Sequence, residues 1–134
     1  MGRIAAIDYG LKRIGIALSD AGKKIAFPYR TVPGGRRGVV EIAAALKGQD
    51  VEKVLLGLPL LMNGQKGDMA LEVEKFAKAL EEALHIPIVL RDERLSSRGA
   101  EASLKEISLN RKQRSARIDE TAATLLLQSF LDET

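Results

Sequence analysis

The sequence predicts an α/β protein built on a mixed five-stranded sheet, three antiparallel strands then parallel strands, with helices on both faces. Two observations lead there. Across residues 3–32, short Ile-, Val- and Ala-rich runs follow one another through turns too brief to hold a helix, the mark of antiparallel hairpins. From residue 37 onward, apolar runs of strand length alternate with helical periodicity, which implies parallel pairing. A chain of 134 residues, 46% apolar and 29% charged, suits one soluble globular domain spanning 1–134.

The first hairpin covers residues 3–18. Its first strand is small and apolar and ends in the carboxylate of Asp8; residues 9–12, with Gly10, return the chain; a second apolar strand climbs from Arg13. Asp20-Ala21-Gly22-Lys23 forms the next turn. A third strand over 25–32 contains Pro28, which points to a sheet edge or a bulge. Pro33-Gly34-Gly35 breaks the chain, and Val39, Ile42, Ala43 and Leu46 then predict a helix over 37–47. The run 53–57 (Lys-Val-Leu-Leu-Gly) reads as a strand buried on both faces.

Residues 59–67 are a loop turning at Asn63-Gly64. The next helix has Met69, Val73, Phe76, Ala77, Leu80 and Leu84 on one face and charges on the other, with Asp68 placed to cap it. A buried strand over 86–90, opening around Pro87, runs into Arg91-Asp92-Glu93-Arg94. Ser96 can cap a helix carrying Ala100, Leu104 and Ile107. A basic loop leads to a last helix with Ile118, Ala122, Leu125, Leu126, Ser129 and Phe130 inward and Asp119 in its first turn.

Composition narrows the function. Cysteine is absent, which excludes disulfides and thiolate metal sites and fits a cytoplasmic protein. No apolar run approaches the roughly 18 residues of a membrane helix, and Asp8 interrupts the only candidate signal-peptide core. The net charge of +3 is modest, but its distribution is not even. Lys23, Lys24, Arg30, Arg36 and Arg37 lie in an acid-free stretch, as do Arg111, Lys112, Arg114 and Arg117. Such clusters are either solvated loops or the footprint of a nucleic-acid binder.

The acids decide between those readings. Asp8 ends the first strand, Glu93 follows the fifth, and in a sheet of this kind ligands gather beyond the carboxyl ends of parallel strands. Asp119, in the first turn of the last helix, would be held ionised by the helix dipole. Taken singly, Asp8 opens a turn, Glu93 pairs with Arg91 or Arg94, and Asp119 is an ordinary helix-start acid. Gathered together, three carboxylates suit Mg2+ or Mn2+. Asp92 competes with Glu93, because neighbouring strand residues face opposite sides; Glu120 competes less well with Asp119.

The motifs Asp8-Tyr9-Gly10 with Lys12-Arg13-Ile14-Gly15, Gly57-Leu58-Pro59 with Gly64, Asp92-Glu93-Arg94-Leu95-Ser96-Ser97, and Ile118-Asp119 before Ala122-Ala123 with Leu127-Gln128 resemble the YqgF family over nearly the whole chain. That family comprises bacterial pre-16S ribosomal RNA nucleases, also described as Holliday junction resolvases, with an RNase H-like fold. The resemblance implies metal-dependent phosphodiester hydrolysis, with Asp8, Glu93 and Asp119 matching the acidic positions, and cytoplasmic maturation of small-subunit ribosomal RNA. Ser96-Ser97 varies a pair that often contains Thr.

Two divalent ions roughly 4 Å apart can serve both ends of an in-line displacement. On this reading Asp8, the most buried of the three acids, bridges them, and Glu93 and Asp119 each hold one side. Lys12, Arg13, Arg94, Arg98, Arg111, Lys112, Arg114 and Arg117 are the expected phosphate contacts. Aromatic residues are only 4%, so duplex or structured nucleic acid suits the chain better than base-stacked single strands. His85 closes a helix and has no catalytic part. Three alternatives keep parts of this picture: a DNA nuclease acting on four-way junctions as a homodimer; a nucleotide-binding enzyme of the actin and sugar-kinase type, whose phosphate hairpin also reads Asp-x-Gly (Asp8, with a second triplet at Asp20 in the next turn of the same small domain) but whose two facing domains the chain is too short to form; and a non-catalytic nucleic-acid-binding module. The protein is expected as a monomer or homodimer, away from membranes.

Overall fold

Strands β1 (Arg3–Asp8), β2 (Arg13–Ser19) and β3 (Ala26–Pro33) pair antiparallel, and β4 (Val51–Leu58) and β5 (Ile88–Asp92) join parallel on the other side of β1. The sheet order is β3-β2-β1-β4-β5. Helices α1 (Gly38–Leu46), α2 (Asp68–Leu84) and α3 (Arg111–Asp132) complete the described elements. The computed structural model describes residues 2–92 and 111–133, with side chains over 2–92 and 120–133. The expected mixed sheet with helices on both faces is the one observed.

Alternation along β1 builds two cores at once. Ala5 and Ile7 face α1 and α2 with Ile14, Ile16, Leu18, Val54 and Leu56, meeting Ile42, Val73, Phe76 and Leu80. Ile4 and Ala6 face α3 with Ala17 and Leu55, meeting Ala123, Leu126, Leu127 and Leu131. The run Ile4–Ile7 is therefore buried on both sides, and charge appears only at the two ends of β1, in Arg3 and Asp8. Among the described helices none is long and apolar enough to cross a membrane.

Proline 28 behaves as expected. β3 is an edge strand, and its register shifts between Ile16 and Ala17, so that Arg30 and Pro28 take successive partners and Tyr29 is left over. The Tyr29 hydroxyl donates to the carbonyl of Ala45, 2.8 Å away. The Asp20 turn is self-contained: Asp20 Oδ1 accepts from the amides of Lys24 (2.8 Å) and Ile25 (2.9 Å). Those bonds, Ile25's first, hold the Asp20 carboxyl below its ordinary value. A depressed carboxylate stabilises above its unfolded pKa, and that stability is lost as pH falls through the folded value. Asp20→Ala should therefore lower the urea midpoint at pH 6, and the gap to the native protein should close in acid. A gap that persists at pH 2 would contradict this assignment.

Five expectations change. β5 starts at Ile88, is half-exposed along its length and lies at the sheet edge, not buried as its apolar sequence suggested. Pro87, which has no N–H, joins the ladder only through its carbonyl, accepting from Val54 (3.0 Å). α2 takes Gly67 as its N-cap without a side-chain bond, so Asp68 is its first helical residue and interacts with the dipole instead of capping.

The stretch 111–117 is not a loop but the first two turns of α3. Arg, Lys, Gln and Ala are strong helix formers, and a polar run without Gly or Pro extends a helix beyond its apolar part. Asp119 then lies eight residues into α3, where the dipole no longer acts, and the charge argument made for it does not hold. The buried stripe of α3 is Ala122, Ala123, Leu126, Leu127 and Leu131; Leu125, Ser129 and Phe130 are only half-buried. Gln128 sets that rotation, accepting from the amide of Ala26 (2.8 Å) and donating to the carbonyl of Lys24 (3.0 Å).

Candidate functional site

The carboxyl ends of β1, β4 and β5 share one rim of the sheet, because the three strands run parallel. Asp8 ends β1, with Leu58 ending β4 and Asp92 ending β5 on the same rim. Alternation places Asp8 with Ile4 and Ala6 on the α3 side. On β5, Arg91 is on that side too: its Nη2 donates to Ser129 Oγ (2.9 Å), its guanidinium pairs with Glu133 and lies over the Phe130 ring. Asp92 is next along and in register with Leu58, which packs on the α1–α2 core. Asp92 therefore belongs to the face opposite Asp8.

Glu93, Arg94 and Arg98 lie outside the described residues. Arg111, Lys112, Arg114, Arg117 and Asp119 are placed in α3 by their backbone alone. Asp119 stands one turn before Ala123 and two before Leu127, both fully buried against the sheet. Among the described residues no three acids or histidines gather as a metal site. Asp8 is the described member of the expected acidic set.

Glu120 has a different task from Asp119. Its Oε2 accepts from Thr31 Oγ1 at 2.7 Å. Thr31 pairs with Gly15, and Gly15 pairs with Asp8, so the three lie in one row across β3, β2 and β1. Gly15 contributes no side chain to the row. The Thr31–Glu120 bond fixes the azimuth of α3 one residue from Asp119. The sequence offers Glu120 only as a weaker rival of Asp119 and does not mark Thr31 at all, since Thr31 is an ordinary strand residue and its partner is 89 positions away.

The hairpin after Asp8 is held from both directions. The ring of Tyr9 is 4.6 Å, centroid to centroid, from that of Phe76 and tilted by 53°. Burial, helped by the negative charge of Glu72, raises the Tyr9 hydroxyl above its ordinary pKa, so it stays protonated. At Gly10 a Cβ would run into the carbonyl oxygen of Arg13. Gly10→Ala should therefore cost about 1–3 kcal/mol and shift Asp8, read as a lower urea midpoint; an unchanged midpoint would show that the turn has room to spare.

Lys12 and Arg13 are exposed at the hairpin tip, and Arg13 shares the face of Gly15 and Asp8. The loop after β4 is itself a small turn, with a Leu60–Lys66 bridge, Gly64 at φ +84°, and Leu61 and Met62 exposed. Asn63 Oδ1 accepts from the amide of Gln65 (2.9 Å), confirming the turn read at Asn63-Gly64. His85 takes a left-handed conformation as the C-cap of α2, the structural part expected of it.

Residues 2–133 match the model of the RuvX family, described as Holliday junction resolvase. A protein of Syntrophomonas wolfei named "Putative pre-16S rRNA nuclease" is 46% identical over 132 residues, covering 97% of this chain and 94% of the relative. One of the same name from Protochlamydia amoebophila is 41% identical, covering 97% and 93%. Among solved structures, Thermus thermophilus RuvC, in complex with a Holliday junction substrate, superposes with a TM-score of 0.57 at 16% identity, covering 99% of this chain and 96% of RuvC. Fowlpox virus resolvase, in complex with Holliday junction DNA, gives 0.59 at 13% identity, covering 98% and 97%. The fold is thus the RNase H-like one of the RuvC-type resolvases.

Proposed function

Because the chain belongs to the RuvX family, we propose that it is a divalent-metal-dependent nuclease that hydrolyses phosphodiester bonds in the 5′-end processing of pre-16S ribosomal RNA. The observation that carries the reading is Asp8, the one acid on the central strand, standing at the sheet rim beyond the buried run Ile4–Ile7 and on the face that α3 covers. A carboxylate in that setting is costly unless it has a partner or a task.

Asp8, Glu93 and Asp119 form the acidic set and hold Mg2+ or Mn2+, for which an all-oxygen donor set is suited. The bound ions supply positive charge to the attacking and leaving oxygens. The chain's own share is positioning: Asp8 is fixed by β1 and by the pinned hairpin, and Asp119 by the seating of α3 through Glu120, Ala123 and Leu127. Glu93 serves in preference to Asp92, which alternation turns to the other face. Lys12, Arg13, Arg94, Arg98, Arg111, Lys112, Arg114 and Arg117 bind phosphates and set register without reading sequence. The protein acts in the cytoplasm as one domain spanning 1–134, as a monomer or homodimer.

The test is cleavage of precursor 16S ribosomal RNA beside a four-way DNA junction, with magnesium, with manganese and with EDTA. Ion-dependent cutting of the RNA is the expected result. Preference for the junction would establish the second reading, which the resolvase fold favours. A folded protein that cuts neither substrate with either ion would overturn the assignment.

A further inference from the structure

We propose that Arg36 and Arg37, on the short turn that packs against the Asp8 hairpin, form a ridge that grips the phosphodiester backbone of the substrate. The inference rests on the nucleic-acid substrate proposed above and adds a second contact surface to it. The turn Gly35–Arg37 follows β3 and is clamped at both ends. At its start, the amide of Gly34 donates to the carbonyl of Lys12 (3.0 Å), and a Cβ on Gly34 would lie 2.5 Å from the carbonyl oxygen of Gly10 and 2.7 Å from that of Leu11. Backbone thus meets backbone, an approach open only to glycine. Gly35 then takes φ +74°, again a glycine conformation. At the other end Gly38 is buried, where a Cβ would meet Ile14 Cδ1 at 3.0 Å and Phe76 Cε1 at 3.1 Å.

Between these clamps Arg36 and Arg37 are exposed. They join Lys12 and Arg13, which are carried by the turn that Gly34 touches, so four cations stand on two abutting turns. From residue 21 to residue 40 the sequence carries no acid. Arg37 meets Glu41 at 3.5 Å, but its side chain is 77% exposed and such a pair holds it weakly. Like charges collected on a rigid platform repel one another unless an anion lies across them. Arginine's planar fork suits phosphate oxygens, and the double clamp removes the ordering cost of a free loop.

The ridge also has a side. Arg13 is on the α3 face with Asp8, whereas the turn leads through buried Gly38 to the α1–α2 face. A nucleic-acid strand passing over the hairpin tip would meet cations before and after it. The scissile bond would then lie between two held phosphates.

The experiment is fluorescence anisotropy with a short labelled RNA duplex in EDTA, over a salt series, on the full chain. Arg36→Gln with Arg37→Gln should reduce the slope of log affinity against log salt by about one for each arginine. In ion-containing cleavage assays it should raise KM and leave kcat unchanged. Lys75→Gln with Lys78→Gln, exposed on α2, removes the same charge elsewhere and should leave the slope as it is. Gly34→Ala keeps both arginines but drives the turns apart, and should lower the slope as well. A native slope in the double arginine variant, or an equal fall in the α2 control, would overturn the ridge. A protein that binds with the expected slopes but never cuts would instead overturn the nuclease reading and leave the ridge standing.

Discussion

Asp8→Asn is expected to reduce phosphodiester cleavage by about 10²–10³-fold or more, the scale seen when one preorganised electrostatic group is removed from an active site. The substitution keeps size and shape, so the two cores that meet along β1 are untouched. What it removes is the charge, and a hard divalent cation needs its carboxylate ligand ionised. Binding of nucleic acid should persist or tighten, because a negative charge near the phosphates has gone. Thermal stability should change little, since asparagine keeps the volume of a half-buried side chain. Cleavage and binding measured side by side, with a melting curve for each protein, check all three. Equal cleavage by the native chain and the variant would remove Asp8 from the chemistry.

Leu127→Ala is expected to destabilise the fold by about 2–5 kcal/mol, the range for a buried leucine whose cavity only partly closes. Leu127 is fully buried and packs with Ile4, Ala6, Ala17 and Leu55 beneath α3. Two of these four sheet neighbours, Ala6 and Ala17, are alanines, which have little reach to refill the space. A urea titration gives the magnitude; a loss below about 1 kcal/mol would mean that α3 is seated by its polar staples alone. Activity should fall further than stability at temperatures where the protein is still folded. Asp119 stands two turns before Leu127, so on the reading proposed above a loosened α3 would misplace its carboxylate.

The regular elements of the sheet were legible because their signal is local. Strand alternation, the helical spacing of α2 and the turn residues at Gly10, Asp20 and Asn63-Gly64 depend on near neighbours in the chain. Pro28 announced its edge position for the same reason, since an edge needs no hydrogen bond from a residue that cannot give one. The errors fell where the signal is long-range. β5 looks buried in sequence, and only the order β3-β2-β1-β4-β5 leaves it with one neighbour. The start of α3 was missed because periodicity reads apolar residues, and its first two turns have almost none.

The candidate site divides along the same line. That Asp8 ends a strand is written in the chain, as are the motifs that place it among the RuvX relatives. That Asp92 turns away from it depends on which face β5 gives to Leu58's side of the sheet. The bond from Thr31 to Glu120 and the contact of Gly34 with the Gly10–Leu11 backbone join positions that no periodicity connects.

Sequence alone determined the strands, helix α2 and the acid at the end of β1, because each follows from residues within a turn or two of one another. Tertiary structure decided that Asp92 faces away from that acid and that Gly15 and Thr31 share its row, because neighbours in space are chosen by strand order and by the packing of two cores against one sheet.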